Sequence, residues 1–411
     1  MLNCSMLSRR KFARLALSMA GTAALTAGSA CASIPKIKIT RIRCFRPPNP
    51  NPTVNQSDQI VTVETDAGIT GIGEGGTRDS VEQCAGMLIG EDPTRIEHLW
   101  QYLYRGYFYP PGREKLHALG ALDLALWDIK GKALGVPVYE LLGGLTRNHI
   151  ECYSTGYPSK GTLGETARAC VESGFRAFRM AVGDTQHEVF DARTSVRETA
   201  AQCREVREAI GKDKDWAIDF HTRLDLSDAV SLSGLIEPLA PYFVEDPLRS
   251  ENLAIYQDLR GRVKVPLAVG EQFGSRWDIN ELIERHLIDY ARVTLPNAGG
   301  ITEFMKIATL CETHNVGMIP HFTGPIAVSA LVHTLGAFSG PVLMEIGGAG
   351  PKPKSYLPQS FDFHSGRLWP NSRPGLGVEF DPKRAELVAE ITERHAPIPT
   401  FHRPDGSLTN W

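Results

Sequence analysis

The sequence predicts an α/β protein, a (β/α)8-type TIM barrel preceded by an N-terminal α+β domain. Three observations carry this expectation. Apolar runs ending in an acid recur at Asp219, Glu245 and Glu271, equally spaced by 26 residues, which leaves room for one strand and one crossover helix per unit. From Ile150 onward, strand-like and helix-like segments alternate, and eight strands can be counted. Before them, the chain opens as a meander of alternating strands and ends in helices, an α+β pattern. No P-loop argues for a nucleotide-binding open sheet.

Residues 1–32 read as a leader. Ser8-Arg9-Arg10-Lys11-Phe12 precedes a small-residue apolar stretch from Leu15 to Ala30, the pattern of a twin-arginine export signal. Ala30-Cys31-Ala32 offers a cleavage site, so the chain is expected to be periplasmic or secreted. Lipid anchoring at Cys31 is the weaker alternative, because Gly28 stands where a lipoprotein box has leucine. The stretch is too weakly apolar and too short for a membrane span.

A first domain covers residues 33–148. Ile37 to Cys44 alternates as a half-buried strand, Arg46 to Asn55 is a Pro/Asn-rich loop, and Gln59 to Thr65 is a second strand. Asp66-Ala67-Gly68 turns the chain into a third strand, Ile69 to Glu74. Leu119, Leu122, Leu126 and Ile129 stripe a helix from Leu116 to Leu134, ended by Gly135 and Pro137. Barrel strands in residues 149–350 are expected to end at Thr155, Arg179, Asp219, Glu245, Glu271, Thr294, His321 and Glu345. Residues 351–411 read as an irregular Pro-rich segment with one helix near Lys383 to Glu393 that packs back on the first domain.

At 411 residues, 42% hydrophobic and 22% charged, the chain can bury a sizeable core in two domains. A formal net charge of −3 gives no electrostatic case for nucleic acid or an anionic membrane. Six cysteines lie beyond the leader with no C-x-x-C and read as buried thiols, one disulfide remaining open.

Parallel strands of one barrel would gather the three acids at the rim where barrel enzymes place their chemistry. A lone strand-end acid is usually a helix cap or a salt bridge. Three at one spacing point to a metal site, and hard cations such as Mg²⁺ take oxygen ligands. Asp246 follows Glu245 directly and is expected to point elsewhere. His221 shares the strand face of Asp219 if the run from Trp216 to His221 is extended.

These residues resemble the enolase superfamily, in its mandelate racemase and sugar-acid dehydratase branch. Gly68 to Glu74 is similar to that family's capping-domain hairpin. Ala121-Leu122-Asp123-Leu124-Ala125-Leu126-Trp127-Asp128, then Leu141-Leu142-Gly143-Gly144, resembles its entry into the barrel, while Val244-Glu245-Asp246-Pro247, Gly270-Glu271 and Ala298-Gly299-Gly300-Ile301-Thr302 resemble its later strands. The resemblance implies a modified barrel with an N-terminal capping domain, Mg²⁺ held by Asp219, Glu245 and Glu271, and a homo-oligomer. It also implies a small carboxylate substrate, a sugar acid dehydrated to a 2-keto-3-deoxy acid through a metal-stabilised enolate. His221 corresponds to the acid that expels the β-hydroxyl and His321 to the base that takes the α-proton. Relatives that racemise carry lysine on the second strand; here Arg179 stands there, a poor base and a good anchor. Arg179, Glu345 and Tyr153 are the expected substrate contacts.

One departure affects the base. The sixth strand of most such enzymes supplies an aspartate to the base histidine, but here the position is Thr294, as in the mannonate dehydratase-like group. Gly270-Glu271-Gln272-Phe273 with Trp277-Asp278 resembles that group too. His321 is therefore expected to lack a carboxylate that orients its ring or raises its pKa. Two alternatives stay open on this scaffold: a hydroxy-acid racemase or epimerase, and a non-catalytic periplasmic sugar-acid binding protein. Specificity is expected in the Arg46 to Asn55 loop, the Gly73 to Thr77 turn and Tyr107-Phe108-Tyr109.

Overall fold

The structure is a computed structural model that describes residues 36–48, 50, 58–106, 108–183, 189–395 and 401–409. The leader, most of the Arg46 to Asn55 loop and Tyr107 lie outside the described residues. Three strands, β1 (Ile39–Arg46), β2 (Ile60–Thr65) and β3 (Thr70–Glu74), form the expected antiparallel meander. Helices α1 (Arg78–Ala85), α2 (Ile96–Arg105) and α3 (Arg113–Leu134) follow, and Gly135 ends α3 in the left-handed region at φ 69°.

The glycines of the Gly71-Ile72-Gly73 run have a packing reason. A β-carbon at Gly71 would lie 2.0 Å from the Ala125 carbonyl oxygen, and one at Gly73 only 1.8 Å from that of Ala121. Only glycine lets β3 meet the backbone of α3 this closely. Asp128 of α3 then accepts from the amides of Ile72 at 3.0 Å and Leu376 at 2.8 Å, tying sheet, helix and C-terminal segment together.

After the short α4 (Val138–Leu141), eight parallel strands alternate with helices. They are β4 (Ile150–Thr155), β5 (Ala177–Ala181), β6 (Asp215–Asp219), β7 (Val244–Glu245), β8 (Leu267–Val269), β9 (Tyr290–Ala291), β10 (Gly317–Met318) and β11 (Met344–Gly347). Between them run α5 (Leu163–Glu172), α6 (Ala192–Ile210), α7 (Leu226–Ile236), α8 (Ile255–Arg260), α9 (Arg276–Glu284), α10 (Ile301–Thr313) and α11 (Pro325–Ala337). β11 pairs with β4, and a parallel bridge between Met318 and Val342 closes the ring. The barrel interior is filled by Tyr153, Ala177, Ala217, Phe243, Ala268, Ile319 and Leu343. Leu, Ile, Val and Phe outside the ring pack the helices onto it.

Three expectations need correction. The segment expected to be a helix near Lys383 to Glu393 is strand β14 (Glu386–Ile391), antiparallel to β1, after a 3₁₀ turn at Pro382–Arg384. It does pack on the first domain, but the free edge of β1 offers a ladder of partners that outweighs local helix propensity. The C-terminal segment is also less irregular than expected, because β12 (Asp362–His364) and β13 (Arg367–Trp369) form a hairpin whose second strand pairs with β4. Finally, three strands stop early: Glu271, Thr294 and His321 lie two or three residues beyond β8, β9 and β10. The six cysteines among the described residues are free and buried.

Candidate active site

The strand ends place a layer of charge across the barrel mouth. Asp219 and Glu245 are register partners on β6 and β7, and both are buried. His221 follows Asp219 in the left-handed region (φ 48°), so strand alternation does not aim it. The turn still carries its Nε2 to 3.7 Å from Glu271 Oε1, with the backbone amide of His221 donating to Asp219 Oδ1 at 2.6 Å.

Asp246 does not point away. The strand has ended at Glu245, and Asp246 has φ 35°, which swings its carboxylate back toward the axis. Glu245, Asp246 and Glu271 each present an oxygen within 4.8 Å of the others. Asp219 lies beside them, its carboxylate paired with the Arg179 guanidinium.

Two arginines thread this layer. Arg179 Nη1 donates to Glu245 Oε1 at 3.0 Å and its Nη2 is 3.6 Å from Glu345 Oε1. Arg292, 1% exposed, sets Nη2 2.5 Å from Glu245 Oε1, 3.2 Å from Glu271 and 2.7 Å from Glu345. Sequence reasoning missed Arg292; its only signal was a charged residue inside the apolar run that ends at Thr294. Thr155 closes the net, accepting from Arg179 Nε at 2.9 Å and donating to Glu345 at 2.5 Å. Tyr153 is wholly buried one layer down, its hydroxyl among Arg292, Glu245 and Glu345.

Electrostatics follow from this packing. Burial pushes the Glu245 and Asp246 carboxyls well above the usual range. Burial also works against Glu345, but Arg292 and Arg179 overcome it and hold that group down to about 2. Glu271 is likewise held low, by His321 and Arg292 against its burial. Five carboxylates thus share two guanidiniums. Glu245 Oε2 and Asp246 Oδ2 are buried without a hydrogen-bond partner. An all-oxygen anionic cluster with unpartnered oxygens fits a hard divalent cation.

The expectation that no carboxylate works to raise the His321 pKa is overturned, while the orienting contact comes from a hydroxyl. Thr294 Oγ1 hydrogen-bonds His321 Nδ1 at 3.1 Å, taking over the orienting contact, and Glu271 Oε2 lies 3.7 Å from Nε2. Burial lowers the His321 pKa, while Glu271 and Glu345 work to raise it. Beside His321, a cleft of ≈ 750 Å³ opens along Gly156, Phe322, Gly347, Lys352 and Tyr356. It is ample for a six-carbon acid.

Comparison with known proteins agrees with this geometry. Residues 162–384 match the family described as enolase C-terminal domain-like, and residues 48–143 match the mandelate racemase / muconate lactonizing enzyme N-terminal domain. A D-galactonate dehydratase of Xanthomonas euvesicatoria pv. vesicatoria is 38% identical over 371 residues, spanning 86% of this chain and 96% of the relative. An enolase from Pantoea ananatis with bound D-gluconate and Mg is 27% identical with a TM-score of 0.76, covering 85% of this chain and 94% of its own. Another, from Agrobacterium radiobacter with bound Na and L-malate, is 30% identical with a TM-score of 0.76, covering 90% and 99%.

Proposed function

The chain belongs to the enolase superfamily, in its mandelate racemase and muconate lactonizing branch, and from that premise we infer a Mg²⁺-dependent dehydratase that turns an aldonic or aldaric acid into a 2-keto-3-deoxy acid. It is a carbon–oxygen lyase, in company with dehydratases that match it over nearly their whole length. The observation that carries the reading is geometric: an oxygen-only anionic cluster and two histidines share one rim, both histidines 3.7 Å from the same carboxylate, Glu271.

Asp219, Glu245 and Glu271 would hold Mg²⁺, with Asp246 adding charge behind them. When bound, Mg²⁺ supplies Lewis-acid stabilisation of the negative charge that develops on the substrate as the α-proton leaves. The remaining work falls to the chain's own side chains. His321 is kept neutral by burial, and Thr294 at Nδ1 leaves Nε2 to accept the α-proton. Glu271 and Glu345 then stabilise the imidazolium. His221, its side chain 54% exposed, takes a proton from water and delivers it to the departing β-hydroxyl. Arg179, Glu345 and Arg292 orient the carboxylates and the acid's own polar groups from below, over Tyr153.

The experiment is a screen of aldonic and aldaric acids, D-galactonate and D-gluconate among them, for 2-keto acid formation with Mg²⁺ and again after chelation. Turnover that needs the metal is expected. Deuterium wash-in at the α-carbon without loss of water would instead assign an epimerase, and saturable binding without turnover a binding protein. Export through the twin-arginine leader and a homo-oligomeric assembly belong to the same proposal.

A further inference from the structure

Two loops carry the reacting pair at the His321 side of the rim. One runs from Arg292 to Gly300 and bears Thr294; the other runs from Ile319 to Gly324 and bears His321. Each leads directly into a helix, α10 or α11, that has glycine at its N-cap and no side-chain cap of its own. A helix start leaves amides without intrahelical partners, and in most helices a Ser, Thr, Asp or Asn at the N-cap receives one of them.

Here the receiving groups come from the N-terminal domain. Glu74, the last residue of β3 and 1% exposed, accepts the amides of Ile326 at 3.0 Å and Ala327 at 2.9 Å at the start of α11. Asp123, in the middle of α3 and 2% exposed, accepts the amide of Thr302 at 3.0 Å and its hydroxyl at 2.5 Å at the start of α10. The two N-cap glycines make room for this. A β-carbon at Gly324 would lie 1.7 Å from Glu74 Oε1, and one at Gly300 would lie 2.4 Å from Asp123 Oδ2. A local cap and the remote carboxyl therefore exclude each other at both helices.

We propose that Glu74 and Asp123 are positioning residues, through which the N-terminal domain sets the His321–Thr294 pair and so makes α-proton transfer depend on its docking to the barrel. The inference rests on the reading of His321 as the base. The His321 loop is pinned at its start by the Ile319 amide on the Ala291 carbonyl (2.9 Å) and at its end by Glu74. Only the second pin comes from outside the barrel. A displacement on the order of 1 Å at a reacting group can cost 10²-fold, so a loosened second pin reaches the chemistry.

The test compares Glu74→Ala, Glu74→Gln and the double variant Glu74→Ala/Gly324→Ser, in full-length protein with Mg²⁺ in D₂O. The probe is D-galactonate, or the acid returned by the screen above. Gly324 is extended (φ −97°, ψ 176°), as a serine N-cap requires, and removal of the Glu74 carboxyl frees the space for it. Glu74→Ala is expected to slow α-proton exchange about 10²-fold while KM stays within about threefold. Glu74→Gln, which keeps an acceptor oxygen, is expected to recover most of the rate. The double variant is expected to recover thermal stability without recovering exchange. Should it recover both, Glu74 is a helix cap and nothing more, and the inference falls. Unchanged exchange in Glu74→Ala overturns it equally. If Glu74→Ala does not fold, the double variant carries the same comparison. His321→Asn is run alongside. Its loss of exchange, with exchange intact in the double variant, overturns the positioning role alone; retained exchange in His321→Asn overturns the base and the positioning with it.

Discussion

Replacing Glu245 or Glu271 by glutamine, or Asp219 by asparagine, removes both a donor oxygen and a charge from a site built for a hard cation. Each variant is expected to lose turnover while keeping the circular dichroism of a folded barrel. Near-wild-type activity with Mg²⁺ in any one of them would misassign that ligand. Asp246→Asn separates the fourth acid, whose Oδ2 is buried without a hydrogen-bond partner. Mg²⁺ titration calorimetry should find it less impaired than Asp219→Asn, and the reverse order would give the third ligand to Asp246. The two histidines divide by isotope. His321→Asn should stop both deuterium exchange and dehydration, whereas His221→Asn should stop dehydration and keep exchange, by factors on the order of 10²–10⁴. Retained exchange in His321→Asn with loss in His221→Asn would reverse the roles. The acids were legible because three apolar runs end in them at one spacing. Arg292 was not, because an arginine in a short segment usually marks a surface. Its burial against four carboxylates depends on strands brought together across the barrel.

At the scale of elements, the order of strands and helices was readable, while the points where strands stop were not. A strand ends where its ladder ends, and at the mouth of a barrel the neighbouring strand decides that. This is why His221 and Asp246, read by strand alternation, instead sit in left-handed turns at φ 48° and 35°. The same non-local logic decided β14. Ala385 to Ile391 reads acceptably as a helix turn by turn, yet Ala389 is paired opposite Cys44 and is 9% exposed. Ala389→Pro tests the pairing, since proline cannot donate to a ladder. Disrupting this edge strand is expected to cost about 1–3 kcal/mol of stability, measured by denaturant unfolding, with little effect on kcat. No loss of stability would mean that β14 does not hold the edge in solution.

At the scale of the whole molecule, two readings remain to be measured, export and the pH dependence of folding. Replacing Arg9-Arg10 by two lysines should keep the precursor in the cytoplasm, because the signal is read by a receptor; unchanged delivery, followed by fractionation, would exclude the twin-arginine route. The pH dependence follows from groups at the seam between sheet and barrel. Burial pushes Glu74 up from 4.5 to about 8 and Asp123 from 3.8 to about 7, against their amide hydrogen bonds. Each therefore binds a proton more tightly folded than unfolded. Their contribution is complete below the unfolded values and is lost as pH rises toward 8. His117 and His333 have the opposite sign. Burial lowers both from 6.5 to about 4, so their contribution is complete above 6.5 and is lost as pH falls toward 4. Stability should thus peak between 4.5 and 6.5 and fall on both sides. Glu74→Gln removes one alkaline contribution without removing the shape of the side chain. Its Tm, measured against wild type across the range, should gain steadily between pH 5 and 8, because only the wild type then has the Glu74 carboxyl to ionise. A difference that stays flat over that interval would mean that Glu74 already titrates as an ordinary carboxylate, stabilised by the amides of α11 more than it is penalised by burial.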